Sequence, residues 1–139
     1  AVLLSADDYD SLIETLDILG DAEAMAAIRE AESLTDDQWI PGDVVRITPA
    51  DPALKVPHMG WNDVVPTKHP ALIEPGEAYF LHSYHFAAQD PHHVAAMTDH
   101  GEGLVAAVAR DNIIGVQFHP EKSQAYGLAT LRRFLEWYP

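Results

Sequence analysis

The 139-residue sequence contains no cysteine. This absence excludes disulfide bonds, cysteine-ligated zinc or iron–sulfur centres, and catalysis by a cysteine thiolate from these residues. Long apolar runs are also missing, since none approaches the roughly 20 residues that a membrane-spanning helix needs. The chain does not open on the basic segment of a signal peptide. We therefore expect a cytoplasmic protein of one domain's length that makes no membrane contact.

Basic residues are scarce: 8 lysines and arginines stand against 22 aspartates and glutamates, for a formal net charge of −14. A duplex-binding surface needs a concentrated basic face, so nucleic acid is excluded as a partner. The acids are concentrated near the N-terminus, where residues 1–37 carry 11 acids and one base, a net charge of −10. This abrupt change predicts two segments of different character, residues 1–37 and residues 38–139.

The first segment has the periodicity of two helices. After Ser5, a good N-cap, apolar residues recur at the helical spacing i, i+3, i+4 and i+7. They are Tyr9, Leu12, Ile13, Leu16 and Leu19. Gly20 ends this helix, and a second, alanine-rich helix of about residues 22–32 carries Met25 and Ile28 as its larger apolar residues.

The second segment alternates apolar and polar residues with the period of β-strands. The predicted strands span residues 43–48, 59–65, 77–86, 94–98, 104–109 and 113–118, and the last three are expected to pair successively as antiparallel neighbours. Ser123 is predicted to cap a final helix. Its apolar face would consist of Leu128, Leu131, Phe134, Leu135 and Tyr138. The predicted fold class is α+β: a mainly antiparallel sheet with two N-terminal helices and one C-terminal helix.

The chemistry candidates are mostly histidines. His119 and Glu121, in the sequence H-P-E, directly follow the last predicted strand. A glutamate two residues from a histidine can hold the imidazole tautomer and stabilise its protonated form, which is the base–orienter half of a nucleophilic triad. A surface turn is the alternative interpretation of the same pair. Strand alternation places His82 and His85 on opposite faces, so no metal site is predicted.

Residues 39–139 closely resemble the glutaminase subunit of imidazole glycerol phosphate synthase, a class I glutamine amidotransferase. The resemblance rests on W-I-P-G-D-V-V-R at 39–46, K-V-P-H-M-G-W-N at 55–62, Y-F-L-H-S-Y at 79–84 and G-V-Q-F-H-P-E-K-S-Q at 115–124. In that family a cysteine on a strand–turn–helix elbow attacks the glutamine carboxamide, and the histidine and glutamate of H-P-E complete the triad. The resemblance therefore implies that His119 and Glu121 match the family's catalytic pair.

The same resemblance implies a protein partner and no cofactor. In the family, ammonia passes to a barrel-shaped synthase partner in histidine biosynthesis, and Trp61 and Lys122 match positions expected to face that partner. Judged from the residues alone, Trp61 is either a core anchor or an exposed interface residue. The family's cysteine elbow lies in its N-terminal half and has no counterpart in this sequence. We therefore expect the 139 residues to have no glutaminase activity.

Residues 1–33 resemble a different family, the Phd/YefM-type antitoxins. The matching stretches are A-V-L-L-S-A-D-D-Y-D-S-L-I-E-T-L at 1–16 and G-D-A-E-A-M-A-A-I-R-E-A at 20–31. In that family an acidic helix wraps a basic RelE/YoeB-type ribonuclease toxin. By this resemblance residues 5–32 would bind such a toxin, and the side chains expected to contact it are Tyr9, Leu12, Leu16, Met25 and Ile28.

Together the two resemblances indicate a composite chain that joins near residues 36–39. Three hypotheses stay open: a catalytically silent amidotransferase-like domain that docks on a synthase barrel, an antitoxin-like toxin binder, and a chimeric or designed chain without native activity. Strand edges left open in a half-domain would need cover from the N-terminal helices or from a homodimer.

Overall fold

The computed structural model describes residues 39–67 and 72–137. The chain divides into two units with the boundary after Trp39, and every described helix and strand lies in the second unit, Ile40–Pro139. The predicted N-terminal helices lie outside the described residues. So do the toxin-contacting side chains assigned to them, which are Tyr9, Leu12, Leu16, Met25 and Ile28.

The described residues form seven β-strands and one α-helix. They are β1 (Gly42–Arg46), β2 (His58–Pro66), β3 (Gly76–His82), β4 (Tyr84–Ala88), β5 (Val94–Asp99), β6 (Gly103–Arg110), β7 (Ile113–Val116) and α1 (Gln124–Leu135). Short 3₁₀ turns at Pro91–His93 and Pro120–Lys122 precede β5 and α1. For this part of the chain, the predicted antiparallel sheet with one C-terminal helix is confirmed.

Two sheets organise these strands. The larger sheet has five strands in the order β3-β2-β5-β6-β7, and all of its neighbouring pairs are antiparallel. Strands β1 and β4 pair with each other in a separate two-stranded sheet. The predicted succession of the last three strands is therefore confirmed, with β5 beside β6 and β6 beside β7.

The long strand predicted at residues 77–86 is wrong, because the chain leaves one sheet and enters the other at Ser83. Strand β3 ends at His82 and belongs to the larger sheet, whereas β4 begins at Tyr84 and pairs with β1. The Ser83 carbonyl accepts a hydrogen bond from the Ile47 backbone N–H at 3.0 Å, and His82 Nδ1 contacts the Tyr84 carbonyl at 2.9 Å. Residues on both sides of the break favour strands, so local propensity gives no sign of it.

The hydrophobic core is built mainly on strands of the larger sheet. Its largest fully buried side chain is Phe80, whose ring meets the Phe118 ring edge-on at 6.0 Å between centroids. The buried apolar members of this cluster are Val64, Leu72, Ile73, Ala78, Phe80, Ala95, Ala96, Ala106, Ala107 and Phe118. Tyr126 of α1 packs against the cluster, with its ring 5.7 Å from that of Phe118. The core thus joins the start of α1 to β3 and to the segment that follows β7.

Helix α1 does not bury the apolar face that the sequence predicts. Its buried residues are Gly127 and Thr130, whereas Leu128 is 69% exposed and Leu135 is 80% exposed. Leu131 and Phe134 are also exposed, and Tyr138 lies outside the described residues. The periodicity argument weights large apolar side chains. The observed packing instead depends on small residues that let the helix approach its neighbours closely.

Candidate functional site

The H-P-E sequence follows the last strand of the larger sheet and is anchored on both sides. The Gln117 backbone N–H bonds the Ala106 carbonyl at 2.9 Å, and the next residue, Phe118, is 2% exposed in the core. The His119 backbone N–H then bonds the Tyr79 carbonyl at 2.9 Å. The chain therefore delivers His119 to the outer edge of β3.

The structure brings His119 and Glu121 together. Their side chains meet at 2.8 Å between Nδ1 and Oε1. An ionised carboxylate only accepts hydrogen bonds, so His119 Nδ1 carries the proton and Nε2 keeps its lone pair. The two side chains are 36% and 62% exposed, so the imidazole is accessible from solvent. This is the geometry of a base held in one tautomer by an acidic orienting group.

A second histidine–carboxylate contact also joins residues two positions apart in a short turn. His92 Nδ1 lies 2.9 Å from Asp90 Oδ1 in the 3₁₀ turn before β5. Backbone and side-chain hydrogen bonds from His92 lower the pKa of Asp90. The His92 side chain is 82% exposed, and Asp90 acts as the N-cap of its own turn. The Asp90–His92 pair has the same chemistry as the H-P-E pair, but it lies outside the motifs that carry the family resemblance.

Ser123, predicted as a helix cap, occupies the N-cap position of α1 but makes no capping hydrogen bond with its side chain. Its hydroxyl instead donates to the His119 carbonyl at 2.6 Å and accepts the Tyr79 backbone N–H at 2.9 Å. The side chain thus links the start of the H-P-E turn to β3. Sequence reasoning missed this role because it depends on a partner 44 residues away in β3.

Trp61 lies on the surface of β2, so the core interpretation of this residue is wrong. Its side chain is 47% exposed, and its ring meets that of Tyr79 edge-on at 6.1 Å between centroids. The neighbouring cross-strand pair, Met59 and Leu81, is also exposed. We name these four residues, Met59, Trp61, Tyr79 and Leu81, the Trp61 patch. Lys122 is exposed in the turn Pro120–Lys122, and the next residue, Ser123, bonds the Tyr79 backbone.

Histidines from two of the family motifs meet in the interior. His58, from P-H-M-G-W-N, is 3% exposed, and its Nδ1 lies 2.9 Å from His82 Nε2 of the H-S-Y sequence. The Tyr84 carbonyl can only accept, so His82 Nδ1 donates to it and His82 Nε2 accepts from His58. His58 Nε2 in turn accepts from Asn62 Nδ2 at 3.0 Å. One assignment satisfies every contact, with both imidazoles neutral.

The environment of this histidine network also favours the neutral form. Burial, followed by the nearby His100 and His82, lowers the pKa of His58 to about 4. The His100 ring stacks on His58 with centroids 4.3 Å apart. Burial also lowers the pKa of His82, which lies near His85, His100 and His119, against the opposing effect of its bond to the Tyr84 carbonyl. A proton on either ring would replace an acceptor with a donor and break the chain of bonds.

The network should make the folded unit sensitive to mild acid. The pKa of His58 is lower in the folded state than the ordinary value of 6.5, so the unfolded chain binds more protons between pH 6.5 and about 4. As the pH is lowered from 6.5 towards about 4, we expect this group to reduce the free energy of unfolding by about 1.4 kcal/mol per pH unit. The measurement is urea unfolding at several pH values between 5 and 7. His58→Gln should flatten the slope.

His92→Gln is the matched control for this experiment, because it removes an exposed histidine from the same chain. The control should keep the wild-type slope. An equal slope in wild type and His58→Gln would show that His58 does not titrate on unfolding in this window.

Metal and membrane features can be assessed over the same residues. Within residues 39–67 and 72–137, no three histidine, cysteine, aspartate or glutamate side chains gather where they could hold a metal ion. In this range no helix is long and apolar enough to cross a membrane.

The sequence comparisons assign a family to these motifs. The family model "Glutamine amidotransferase class-I" matches residues 22–136. The imidazole glycerol phosphate synthase subunit HisH of Zymomonas mobilis is 58% identical over 103 residues, which are 73% of this chain and 48% of that protein. The HisH subunit of Azospirillum brasilense is 52% identical, across 71% of this chain and 54% of that protein.

The matches cover different shares of the relatives. The chain spans about half the length of those two relatives. The HisH subunit of Ruegeria pomeroyi is 44% identical over 144 aligned positions, which include 94% of this chain and 68% of that protein. The matches therefore extend beyond residues 39–139 into the acidic segment. The chain therefore belongs to the class I glutamine amidotransferase family.

Proposed function

We propose that this chain forms the C-terminal half of a HisH-type glutaminase and contributes the histidine and glutamate of its triad. The observation that supports this is the contact of 2.8 Å between His119 Nδ1 and Glu121 Oε1, within the sequence that matches the family. The 139 residues contain no cysteine, so a thiolate must come from another polypeptide segment. By itself the chain is then catalytically incomplete.

The geometry assigns a role to each atom of the pair. His119 Nε2 takes the proton from a cysteine thiol as sulfur attacks the carboxamide carbon of glutamine, and it then gives that proton to the departing ammonia. In the second step, Nε2 takes a proton from the water that attacks the thioester carbonyl, and returns that proton to the cysteine sulfur as the carbon–sulfur bond breaks and glutamate is released. Glu121 holds the ring in the Nδ1–H tautomer and stabilises the imidazolium formed in each step.

Reconstitution tests this proposal. The chain alone should release no glutamate from glutamine above the level of its His119→Ala variant. Co-expression with the part of the Zymomonas mobilis relative that this chain does not match, which the resemblance expects to carry the cysteine, should give a glutaminase. In that complex, His119→Ala should lower kcat/KM by at least about 10³-fold, because a triad without its base loses most of its rate enhancement.

The control is His92→Ala, which removes a histidine from the other histidine–carboxylate pair and should leave kcat/KM unchanged. Equal activity of the reconstituted wild type and the His119→Ala variant would contradict the triad assignment.

We further propose that the Trp61 patch docks on another subunit of imidazole glycerol phosphate synthase. The relatives carry the name of a subunit of that enzyme. The patch supplies exposed aromatic and aliphatic side chains on one face of the β2–β3 pair. Aromatic residues at the centre of an exposed apolar patch commonly dominate the binding energy of an interface. Lys122, which the resemblance expects to face the same partner, is exposed next to Ser123, whose hydroxyl bonds the Tyr79 backbone.

Truncation of the central aromatic residue tests the docking proposal. Trp61→Ala should weaken binding to the synthase barrel subunit by about 30-fold, the equivalent of about 2 kcal/mol. Val44→Ala is the control, since Val44 is 73% exposed on β1 in the other sheet. Titration calorimetry measures the affinities, and equal loss in both variants would reject the patch. A homodimer is the other predicted assembly. Analytical ultracentrifugation of the wild type and of Trp61→Ala, without the partner, would show whether the chain dimerises through the Trp61 patch.

A second candidate function concerns the acidic segment. Residues 1–37 carry a net charge of −10, which is the observation that favours an antitoxin-like binder of a basic RelE/YoeB-type toxin through residues 5–32. The family match begins at residue 22 and thus assigns part of the same segment to the amidotransferase. The chain should rescue growth during toxin expression if the antitoxin candidate is correct, and deletion of residues 1–33 should abolish the rescue. No rescue by the full chain would reject the antitoxin candidate. A chimeric or designed chain without native activity would follow only if docking on the synthase barrel also failed.

A further inference from the structure

One buried hydroxyl that the triad chemistry does not use links the H-P-E turn to β3. Ser123 is 1% exposed, and its Oγ lies within hydrogen-bond distance of two backbone groups. It donates to the His119 carbonyl at 2.6 Å and accepts the Tyr79 N–H at 2.9 Å. A single side chain therefore fixes the start of the turn to β3.

The H-P-E turn and Ser123 bond the backbone groups that β3, an edge strand, directs away from β2 at Tyr79. The Tyr79 carbonyl accepts the His119 N–H at 2.9 Å, and the Tyr79 N–H is bound by the Ser123 hydroxyl. Both backbone groups of Tyr79 that are not used by β2 are thus satisfied by the turn. Loss of the hydroxyl would leave the Tyr79 N–H without its partner, which is costly for a backbone group shielded from water. The His119 carbonyl would keep only the Lys122 backbone N–H, at 3.1 Å.

Helix α1 holds the turn from its other side. A Cβ added at Gly127 would lie 1.8 Å from the Pro120 carbonyl oxygen, so a side chain at this position would displace the turn or the helix. The Gly127 N–H also bonds the Ser123 carbonyl at 3.1 Å. Glycine thus lets the first turn of α1 lie directly against Pro120, between His119 and Glu121.

The path of the backbone contributes to the geometry of the pair. The Glu121 side chain is 62% exposed, and its only hydrogen-bond partner within the described residues is His119. Their contact of 2.8 Å depends on the path of the chain from residue 119 to residue 121. We propose that Ser123 and Gly127 are positioning residues that hold this path and so keep the imidazole in the Nδ1–H tautomer. This inference rests on the proposed role of the pair.

The test reads the tautomer of His119 by nitrogen-15 NMR in the full 139-residue chain at pH 8, with the signal assigned by its loss in His119→Gln. Wild type should show the Nδ1–H tautomer. Ser123→Ala should move the population towards Nε2–H, and Ser123→Thr, which keeps the hydroxyl, should retain more Nδ1–H than Ser123→Ala. Thr130→Val is the matched control, because it removes another buried hydroxyl of α1, which bonds the Tyr126 carbonyl at 2.9 Å.

The control should keep the wild-type tautomer, and an unchanged tautomer in Ser123→Ala would overturn the proposal. If Ser123→Ala does not fold, Gly127→Ala is measured instead and should show the same loss of Nδ1–H. A measurement on the wild type needs no variant: the Tyr79 amide should exchange with solvent as slowly as amides in the core, and rapid exchange would also overturn the proposal.

The readout separates this inference from the proposed function. The tautomer is measured without glutamine and without a thiol, so it reports the geometry of this chain alone. Failure of the reconstituted complex to hydrolyse glutamine, with the tautomer still dependent on Ser123, would reject the glutaminase assignment and leave the positioning role intact. If activity depends on His119 but the tautomer is unchanged in Ser123→Ala, the glutaminase assignment would stand and the positioning role would be rejected.

Discussion

The hydrogen bond from the His119 N–H to the Tyr79 carbonyl is the contact on which the candidate site depends. Strands β3 and β7 lie at opposite edges of the larger sheet, yet the segment that follows β7 returns to the outer edge of β3. Strands β5, β6 and β7 carry the chain away from β3 to the other edge. The crossing then takes two residues, from the Gln117 N–H bonded to Ala106 of β6 to the His119 N–H bonded to Tyr79 of β3. The motif at residues 79–84 therefore meets the motif at residues 115–124.

This contact also places two surfaces beside each other. The Tyr79 side chain lies in the Trp61 patch, while its backbone holds the H-P-E turn. A partner docked on the patch would contact the residue whose carbonyl and N–H fix His119 and Ser123. Tyr79 thus links the proposed docking surface directly to the proposed triad residues, through its side chain on one and its backbone on the other.

Sequence reasoning identifies the parts of this arrangement that depend on local pattern. Strand periodicity locates the last three strands, and the H-P-E sequence identifies the pair that the structure brings together. It fails where a partner far along the chain decides the outcome. The break at Ser83 depends on pairing with Ile47, and the role of Ser123 depends on Tyr79. Helix α1 packs through Gly127, because the absence of a side chain there lets the helix approach Pro120. A pattern based on large apolar residues does not detect this contact.

Burial separates the histidines into two chemical classes. His58 and His82 use both ring nitrogens in hydrogen bonds that require the neutral form, so neither has a lone pair left for a substrate or a nucleophile. His119 uses only Nδ1, on a carboxylate that stabilises a positive ring, and its Nε2 has no recorded hydrogen bond within the described residues. A proton taken up at His119 keeps its contact with Glu121, whereas one taken up at His58 Nε2 breaks the bond from Asn62 Nδ2. Of these three residues, only His119 can therefore exchange a proton without loss of local structure.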